Sequence, residues 1–263
     1  MTLEKTLITG ASSGIGATYA ERLARRGHNL LLVARDVARL EALAARLRTE
    51  TGVQVEVLAA DLTAKPDLLR VEQRLRNDEK IDTLINNAGI ATLGPVAGAD
   101  PDQLERVIDL NVLAMTRLAA AAATAFAARG HGTIVNIASV LGLAPERTNA
   151  VYAASKAFVL VFTQSLNQEI GGQGVRLQAV LPGATRTEIW GRAGRDVDSL
   201  PPEIVMEVGE MVDAALAGFD AGELVTIPSL PDSADWEALE AARLRLGPNL
   251  SHRHAASRFK VAA

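Results

Sequence analysis

Tyr152 and Lys156 stand four residues apart in a mostly apolar stretch, Ala150–Gly171. Residues four apart on a helix share one face and lie about one turn from each other, so the lysine and the phenol are expected to be neighbours. A positive charge beside a phenol favours the phenolate and lowers the tyrosine pKa from its usual value of about 10. Such a tyrosine can donate a proton to a developing alkoxide or accept one from an alcohol. The pair predicts proton transfer at a carbonyl or alcohol oxygen.

Two polar residues upstream fit the same chemistry. Ser139 ends a predicted strand, Thr133–Ala138, where its hydroxyl can stabilise charge that builds up on a substrate oxygen. Asn111 interrupts a helical pattern between Leu110 and Val112, a place where an amide needs buried partners. A serine hydrolase is excluded because Ser139 has no G-x-S-x-G elbow and none of the four histidines lies at a motif.

A glycine-rich turn follows the first predicted strand, Lys5–Thr9, and opens a helix, Gly14–Arg26. Glycine permits tight turns and close approach of the backbone to a ligand. The helix N-terminus behind such a turn offers free N–H groups and a positive dipole end to a pyrophosphate. We therefore expect a dinucleotide to bind the turn residues Gly10, Ser12, Ser13, Gly14, Ile15 and Gly16.

The end of the second predicted strand, Asn29–Ala34, bears on the choice of cofactor. An acidic residue there binds the ribose 2′-OH of NAD, whereas an arginine nearby accommodates the 2′-phosphate of NADP. Ala34 occupies that position and Arg35 follows it, so the pattern favours NADP(H). We interpret Asp36 as the N-cap of the helix Val37–Thr51. If the strand were aligned one or two residues differently, Asp36 would favour an NAD-dependent alcohol dehydrogenase instead.

Strands alternate with helical patterns along the whole chain, which predicts a parallel sheet with helices on both faces. The fold class is α/β, a doubly wound Rossmann-type fold with a mostly parallel, seven-stranded sheet. The predicted strands are Lys5–Thr9, Asn29–Ala34, Gln54–Ala59, Thr83–Asn86, Thr133–Ala138, Arg176–Leu181 and Leu224–Ile227. The predicted helices are Gly14–Arg26, Val37–Thr51, Lys65–Asn77, Pro101–Ala128, Ala150–Gly171 and Glu203–Phe219. We expect a single domain over residues 1–263, with a lid at about 184–202 and a C-terminal extension at about 231–263.

Composition narrows the class of protein. A net charge of −4 provides no excess of positive charge with which to bind nucleic acid or an anionic membrane. Cysteine is absent, which excludes disulfides and a thiol nucleophile and fits a cytoplasmic location. No signal peptide and no membrane span are expected. His252 and His254 form an H-x-H pair without an acidic or third ligand beside it, so no metal site is predicted.

The spacing G-x-x-x-G-x-G of the turn resembles that of the short-chain dehydrogenase/reductase family, in its compact branch. The resemblance extends to about residue 230 through further motifs in the family's order. These are Asp61 after the third strand, Asn86-Asn87-Ala88-Gly89 after the fourth, Asn111, Ser139, the Tyr152-x-x-x-Lys156 pair and Pro182-Gly183 after the sixth strand. In combination they are highly specific, although each alone is weak.

The resemblance implies a carbonyl reductase that also works as an alcohol dehydrogenase. Tyr152 would be the acid–base, Ser139 would bind the substrate oxygen, Lys156 would also bind the nicotinamide ribose, and Asn111 would hold a water against Lys156. The family's second common basic position, just before the second glycine of the turn, is Ser13 here, so Arg35, with Arg39 nearby, would carry the NADP preference. Further expected cofactor contacts are Asp61, Leu62, Asn87, Ala88, Gly89, Pro182, Gly183, Thr185 and Thr187.

Residues expected in the substrate pocket are mainly apolar, which favours a hydrophobic ketone or hydroxy compound. They are Leu93, Val140, Leu141, Gly183, Ala184 and Trp190, while Arg186, Arg192 and Arg195 leave an anionic substrate open. In relatives the two long helices form a dimer interface, so a homodimer or homotetramer is expected. The alternatives are a cofactor-sensing regulator, which would be expected to lack the tyrosine and lysine, and a sugar-nucleotide epimerase, for which this chain is too short.

Overall fold

The seven predicted strands pair into one sheet in the computed structural model, which describes residues 5–259. All neighbouring strands are parallel, in the order β3-β2-β1-β4-β5-β6-β7. The strands are β1 Lys5–Thr9, β2 Asn29–Ala34, β3 Val55–Ala59, β4 Ile81–Asn86, β5 Gly132–Ile137, β6 Val175–Val180 and β7 Val225–Thr226. The order reverses direction between β1 and β4, and ligands of such sheets bind at the carboxyl ends of the strands beside that point.

Helices cover both faces of the sheet. The helices of residues 5–228 are α1 Gly14–Arg25, α2 Val37–Thr51, α3 Lys65–Asn77, α4 Pro101–Ile108, α5 Met115–Arg129, α6 Ala150–Ile170, α7 Ile189–Arg192 and α8 Val208–Asp220. A further helix, α9 Ser233–Leu244, follows β7 along the chain. Helix α1 packs against α2 and α8, and α3 packs against α5. The fold class predicted from the sequence is thereby confirmed.

The sheet is buried on both faces, which explains why the strand sequences are continuous apolar runs and do not alternate between apolar and polar residues. Leu30 and Leu32 of β2 belong to the core cluster that contains Tyr19 and Leu40 from the helices of one face. Leu31 lies between them and is equally inaccessible to solvent, although its side chain points to the opposite face.

Two of the predicted helices differ from the structure by more than one residue at an end, whereas α1 and α6 each end one residue earlier than predicted. The single helix predicted over Pro101–Ala128 is interrupted by a π-helical turn, Asp109–Ala114, which separates α4 from α5. The helix predicted from Glu203 begins only at Val208, because the chain before it is held in the preceding loop. Asp36 caps α2 as predicted, since its side chain accepts a hydrogen bond from the Arg39 backbone N–H at 3.0 Å.

Contacts divide the chain into two compact units, Met1–Pro228 and Ser229–Ala263. The first holds the sheet, and the second holds α9 and the residues after it. Residues 1–4 and 260–263, which belong to the predicted N-terminal segment and the predicted extension, lie outside the described residues.

One helical stretch of the described chain, 101–129, has the length and hydropathy of a membrane span, and half of its most apolar window is buried. The sequence analysis expected a helix here but no membrane span, and packing of α5 against α3, β4 and β5 accounts for the apolar side of the stretch. Among residues 5–259, no group of three or more His, Cys, Asp or Glu side chains is arranged to hold a metal ion. His252 instead lies 3.3 Å from the Asn249 side chain.

Candidate active site

The glycine turn lies at the carboxyl end of β1, at the point where the strand order reverses. Gly10 and Gly14 have φ angles of 64° and 54°, which L side chains rarely adopt. A Cβ on Gly10 would lie 2.8 Å from the Asn87 side-chain nitrogen, and a Cβ on Gly16 would collide with the Gly10 carbonyl oxygen. The turn is therefore packed from behind and leaves its N–H groups, at the start of α1, to a ligand in front.

The Asn-Asn-Ala-Gly segment after β4 is bonded to this turn. The Asn87 side chain donates to the Thr9 carbonyl oxygen at 2.9 Å, and the Thr9 hydroxyl accepts from the backbone N–H groups of Asn87 and Ala88 at 2.9 and 3.0 Å. A Cβ on Gly89 would lie 3.2 Å from the Asn111 side-chain oxygen and 3.5 Å from Lys156 Nζ. Glycine at these positions therefore lets the turn, the segment after β4 and the side chains of Asn111 and Lys156 lie in direct contact. With the N–H groups at the start of α1, this arrangement fits a dinucleotide.

Arg35 and Asp61 meet at the carboxyl ends of β2 and β3. Arg35 Nη1 lies 3.9 Å from Asp61 Oδ2, and the arginine side chain is 72% exposed. Asp61 also accepts hydrogen bonds from the backbone and the hydroxyl of Thr63, which fixes its carboxylate. Arg35 is therefore an accessible cation beside the turn, whereas Asp36 is engaged as a helix cap.

Tyr152, Lys156 and Ser139 are all buried. Ser139 follows β5, and its Oγ lies 3.4 Å from the Pro182 carbonyl oxygen after β6. Gly142, three residues on, lets this loop touch the catalytic helix, because a Cβ there would lie 2.8 Å from the Ala157 backbone nitrogen. Lys156 Nζ donates to the Ile137 carbonyl oxygen at 2.9 Å and lies 5.8 Å from the centre of the Tyr152 ring.

Burial dominates the acidity of this pair. It raises the pKa of Tyr152 to about 12, against the opposing effect of a hydrogen bond with the Ser139 hydroxyl. It lowers the pKa of Lys156 to about 8. The expectation that the lysine lowers the tyrosine pKa is therefore wrong for these side chains by themselves, since Lys156 hydrogen-bonds to Ile137 and desolvation of the phenolate outweighs its charge. At neutral pH the phenol carries its proton, as a proton donor must.

Asn111 lies in the π-helical turn and has the buried partners that its mid-helix position required. Its side-chain nitrogen donates to the Ile90 carbonyl oxygen at 2.9 Å and its oxygen accepts from the Ile90 N–H at 2.9 Å. The same nitrogen lies 3.2 Å from Ser155 Oγ, which donates to the Tyr152 carbonyl oxygen at 2.8 Å. π-helical turns are common at functional sites.

The segment predicted as a lid forms a loop that is closed at its base. Thr185 pairs with Met206 as an isolated bridge, with hydrogen bonds from Arg186 N to Met206 O at 2.9 Å and from Met206 N to Ala184 O at 2.8 Å. Inside the loop, α7 carries Trp190, whose indole N–H donates to the Thr185 carbonyl oxygen at 2.9 Å. The loop therefore reaches to Met206, beyond the predicted end at 202.

Two open cavities border this loop. One, of about 580 Å³, includes Leu93, Asn149 and Arg195 in its lining. The other, of about 500 Å³, includes Thr187, Trp190 and Arg195. The remaining predicted pocket residues, Val140, Leu141, Gly183 and Ala184, line neither of these two cavities, although Leu141 N donates to Ser139 Oγ at 3.2 Å.

The other predicted cofactor residues lie at the same edge of the sheet. Leu62 follows Asp61 and is buried, and the Thr185 hydroxyl donates to the Gly183 carbonyl oxygen at 3.2 Å. Thr187 reaches the glycine turn, since a Cβ on Gly14 would lie 3.2 Å from its methyl carbon.

Sequence reasoning missed several residues of this site. Asn149 caps α6, accepting from the backbone N–H groups of Val151 and Tyr152 at 2.9 and 3.3 Å, and donates to the Gly94 carbonyl oxygen at 2.7 Å. An asparagine directly before a predicted helix is a capping signal that could have identified it. Ser155, between the tyrosine and the lysine, carried no comparable signal.

Comparisons with known proteins agree with this geometry. A sequence profile described as short chain dehydrogenase matches residues 4–198. A short-chain dehydrogenase from Sphingobium yanoikuyae, solved in complex with NADPH, is 59% identical, with a TM-score of 0.96 over 98% of this chain and 100% of that one. The bulky-bulky ketone specific alcohol dehydrogenase from Comamonas testosteroni is 52% identical, with a TM-score of 0.91 over 98% of this chain and 99% of that one.

A curated relative gives the same picture at lower identity. An uncharacterized oxidoreductase from Staphylococcus saprophyticus is 34% identical over 186 residues, which are 70% of this chain and 80% of that protein.

Proposed function

The chain belongs to the short-chain dehydrogenase family, and we propose that it is an NADPH-dependent reductase of hydrophobic ketones that works in reverse as an alcohol dehydrogenase. The observation that carries this proposal is the burial of Ser139, Tyr152 and Lys156 in a fold whose glycine turn, at the carboxyl end of β1, fits a dinucleotide. A regulator that only senses the cofactor has no use for a buried amine beside a buried phenol, because burying the ammonium costs stability.

The cofactor is NADP(H), and when bound it supplies or accepts the hydride. The glycine turn, Asn87 and Gly89 provide the backbone groove for it, and Arg35 provides an accessible guanidinium for a 2′-phosphate. An NAD-dependent alternative would need Asp36 at the ribose, but Asp36 holds the N-terminus of α2. The NADPH complex of the 59% identical dehydrogenase supports the same choice.

Side chains of this protein transfer the proton to the substrate oxygen. As hydride reaches the carbonyl carbon, the carbonyl π bond breaks and charge develops on the oxygen, which takes the phenol proton of Tyr152. The Ser139 hydroxyl donates a second hydrogen bond to that oxygen. The Lys156 ammonium, 5.8 Å from the centre of the Tyr152 ring, offsets part of the desolvation of the resulting phenolate. Asn111 holds the surroundings through the Ile90 backbone and the Ser155 hydroxyl.

The proposed substrate class rests on the larger of the two cavities, which lies at the start of the helix that carries Tyr152. The larger cavity is bordered by Asn149 and Ala150, which begin the helix that carries Tyr152, and by Leu93 after the Asn-Asn-Ala-Gly segment. A cavity of about 580 Å³ is within the range of small-molecule sites. It suits a ketone with two large substituents, such as the substrates named for the 52% identical relative.

The test is a panel of ketones with purified protein and NADPH, monitored by loss of NADPH absorbance. Diaryl ketones and aryl ketones with long alkyl chains should be reduced with a higher kcat/KM than matched methyl ketones. The proposal for the substrate fails if methyl ketones are preferred, and the proposal for the reaction fails if neither class is reduced.

Arg35 provides the matched test for the cofactor. Arg35→Ala should weaken NADPH binding by about 1.5–3 kcal/mol, the usual contribution of a charge-assisted contact, and leave NADH binding nearly unchanged. Arg26→Ala is the control, because Arg26 pairs with Asp220 at 3.0 Å where α1 and α8 end, away from the carboxyl ends of the strands. A wild-type enzyme that prefers NADH would contradict the assignment.

We further propose a cytoplasmic enzyme that assembles as a homodimer or homotetramer through the exposed apolar side chains of the two long helical stretches. Ile108, Leu113, Phe158 and Val161 are large hydrophobic residues that the described chain leaves exposed. Small-molecule carbonyl compounds and alcohols, with the cofactor, are its binding partners.

A further inference from the structure

The lid places an arginine on the glycine turn. Arg192, in α7, points a guanidinium nitrogen at Ser13 Oγ, and the two atoms are 3.3 Å apart. Ser13 is the residue before the second glycine, where NADP-dependent relatives carry a basic side chain. The turn itself has no basic residue, and Arg192 brings a positive charge to Ser13 from far along the chain.

Glu188 holds Arg192 in this position. Its carboxylate accepts from Arg192 at 2.6 Å, and from Arg39 of α2 at 2.8 Å through both oxygens. Arg39 in turn lies 3.4 Å from the Asp36 carboxylate. A continuous series of polar contacts therefore joins the turn, the lid and the start of α2, with Glu188 as the positioning residue at its centre.

The formal charges of this region show what the loss of one guanidinium would do to a bound phosphate. Three arginines and three carboxylates lie in this region, so their formal charges cancel. They are Arg35, Arg39 and Arg192, with Asp36, Asp61 and Glu188. Removing one arginine leaves a net negative cluster, which would repel a phosphate dianion at close range.

We propose that Arg192 supplies from the lid the positive charge that the turn lacks at Ser13, and that it discriminates NADPH from NADH together with Arg35. This inference rests on NADP(H) as the cofactor. A planar guanidinium can bind a phosphate through two parallel hydrogen bonds, a contact for which the 2′-hydroxyl of NADH offers no charge. Cofactor selectivity would then depend on the lid as well as on the strand end.

The experiment measures dissociation constants for NADPH and NADH by cofactor fluorescence, without substrate. Arg192→Met should weaken NADPH binding by about tenfold or more, as the loss of a charge-assisted hydrogen bond does, while NADH binding changes little. Arg26→Met is the control, because Arg26 is likewise a half-exposed arginine paired with a carboxylate, Asp220, at 3.0 Å, but lies where α1 ends and outside both cavities. Its NADPH affinity should match that of the wild type.

A second variant tests whether the loss of NADPH affinity comes from the missing positive charge or from a change in the structure of the lid. Ser13→Lys in the Arg192→Met background puts a basic residue back into the turn and should recover most of the NADPH affinity. Equal weakening of NADPH and NADH by Arg192→Met, or no effect on either, would overturn the proposal. A wild-type protein that binds NADH as tightly as NADPH would instead refute the cofactor assignment on which it rests.

Discussion

Ser139, Tyr152 and Lys156 occupy a site in which desolvation, more than the lysine charge, sets the acidity of the groups. The raised pKa of Tyr152, at about 12, keeps the phenol protonated at neutral pH. The lowered pKa of Lys156, at about 8, makes its charge sensitive to mild alkali. The identities of these residues were predictable from the sequence, but the balance between burial and charge was not, since it depends on the Ile137 carbonyl group and on the depth of the site.

The two tyrosines of the chain provide a matched pair of substitutions. Tyr152→Phe removes the proposed proton donor and should lower kcat for ketone reduction by about 10²–10⁴-fold while folding and NADPH binding persist. Tyr19→Phe is the control, since Tyr19 is fully buried in the core and its hydroxyl has no hydrogen-bond partner. That variant should keep full activity and unfold at a higher urea concentration, because an unsatisfied buried hydroxyl costs stability. Near wild-type turnover in Tyr152→Phe would rule out the assignment.

Lys156 should leave a signature in the pH dependence of stability. Its folded-state pKa of about 8 lies below the ordinary value of 10.5, so between these values the unfolded state binds more protons than the folded state. The free energy of unfolding therefore rises with pH in this window, by about 1.4 kcal/mol for each pH unit at most. Urea unfolding of the wild type and of Lys156→Met at about pH 7.5 and about pH 9.5 checks this sign. The first pH lies just below the folded-state pKa, and the second lies between the two pKa values.

The comparison cancels the titration of every group that the two proteins share. The stability of the wild type relative to the variant should increase at the higher pH. An unchanged difference would show that the amine is not held in a desolvated site.

At the scale of elements, strand positions followed directly from the sequence, because buried parallel strands and capped helices leave strong local patterns. β1, β2, α2 and α3 have the bounds predicted for them. The π-helical turn at Asn111 could not be derived in this way, since it depends on the Ile90 backbone across the site. The contact between Ser13 and Arg192 joins residues 179 positions apart, and no local pattern reports such a distance.

The N-cap of the catalytic helix gives a prediction at this scale. Asn149→Ala removes the acceptor for two N–H groups of α6 and the bond to Gly94 in the cavity wall, so it should cost about 1–2 kcal/mol of stability. It should also lower kcat/KM, because Tyr152 sits in the first turn that the cap holds. Asp232→Ala removes the cap of α9, whose side chain accepts from Ala234 N at 2.9 Å, and should leave kcat/KM unchanged. Equal kcat/KM in both variants would exclude a positioning role for Asn149.

For the molecule as a whole, the residues left uncovered are as informative as the core. Exposed apolar side chains occur on α6, where Phe158 and Phe162 stack with ring centres 5.7 Å apart and Val161 is 59% exposed. Contiguous apolar surface on a folded chain commonly marks an interface. The family resemblance indicated an interface on the two long helical stretches, but which of their side chains stay uncovered became evident only from the packing.

Assembly can be tested directly. The wild type should sediment as a dimer or tetramer, and Val161→Glu should shift it toward smaller species, because a carboxylate in an apolar interface is costly to desolvate. Leu239→Glu places the same charge on an exposed leucine of α9 and serves as the control. A wild-type protein that sediments as a monomer at micromolar concentration (about 1–10 μM) would contradict the proposed interface.

The bridge between Thr185 and Met206 has a consequence for how this enzyme can diversify. The two ends of the loop are clasped to each other by backbone hydrogen bonds, beyond the last residue of β6 and before the first residue of α8. Lengthening a loop whose ends are already fixed adds little entropic penalty, about 0.6 kcal/mol for each doubling of its length. The segment between these ends can therefore be replaced without disturbing the sheet. Grafting the corresponding loop of a relative should confer that relative's substrate selectivity, while Ser139, Tyr152 and Lys156 keep their geometry.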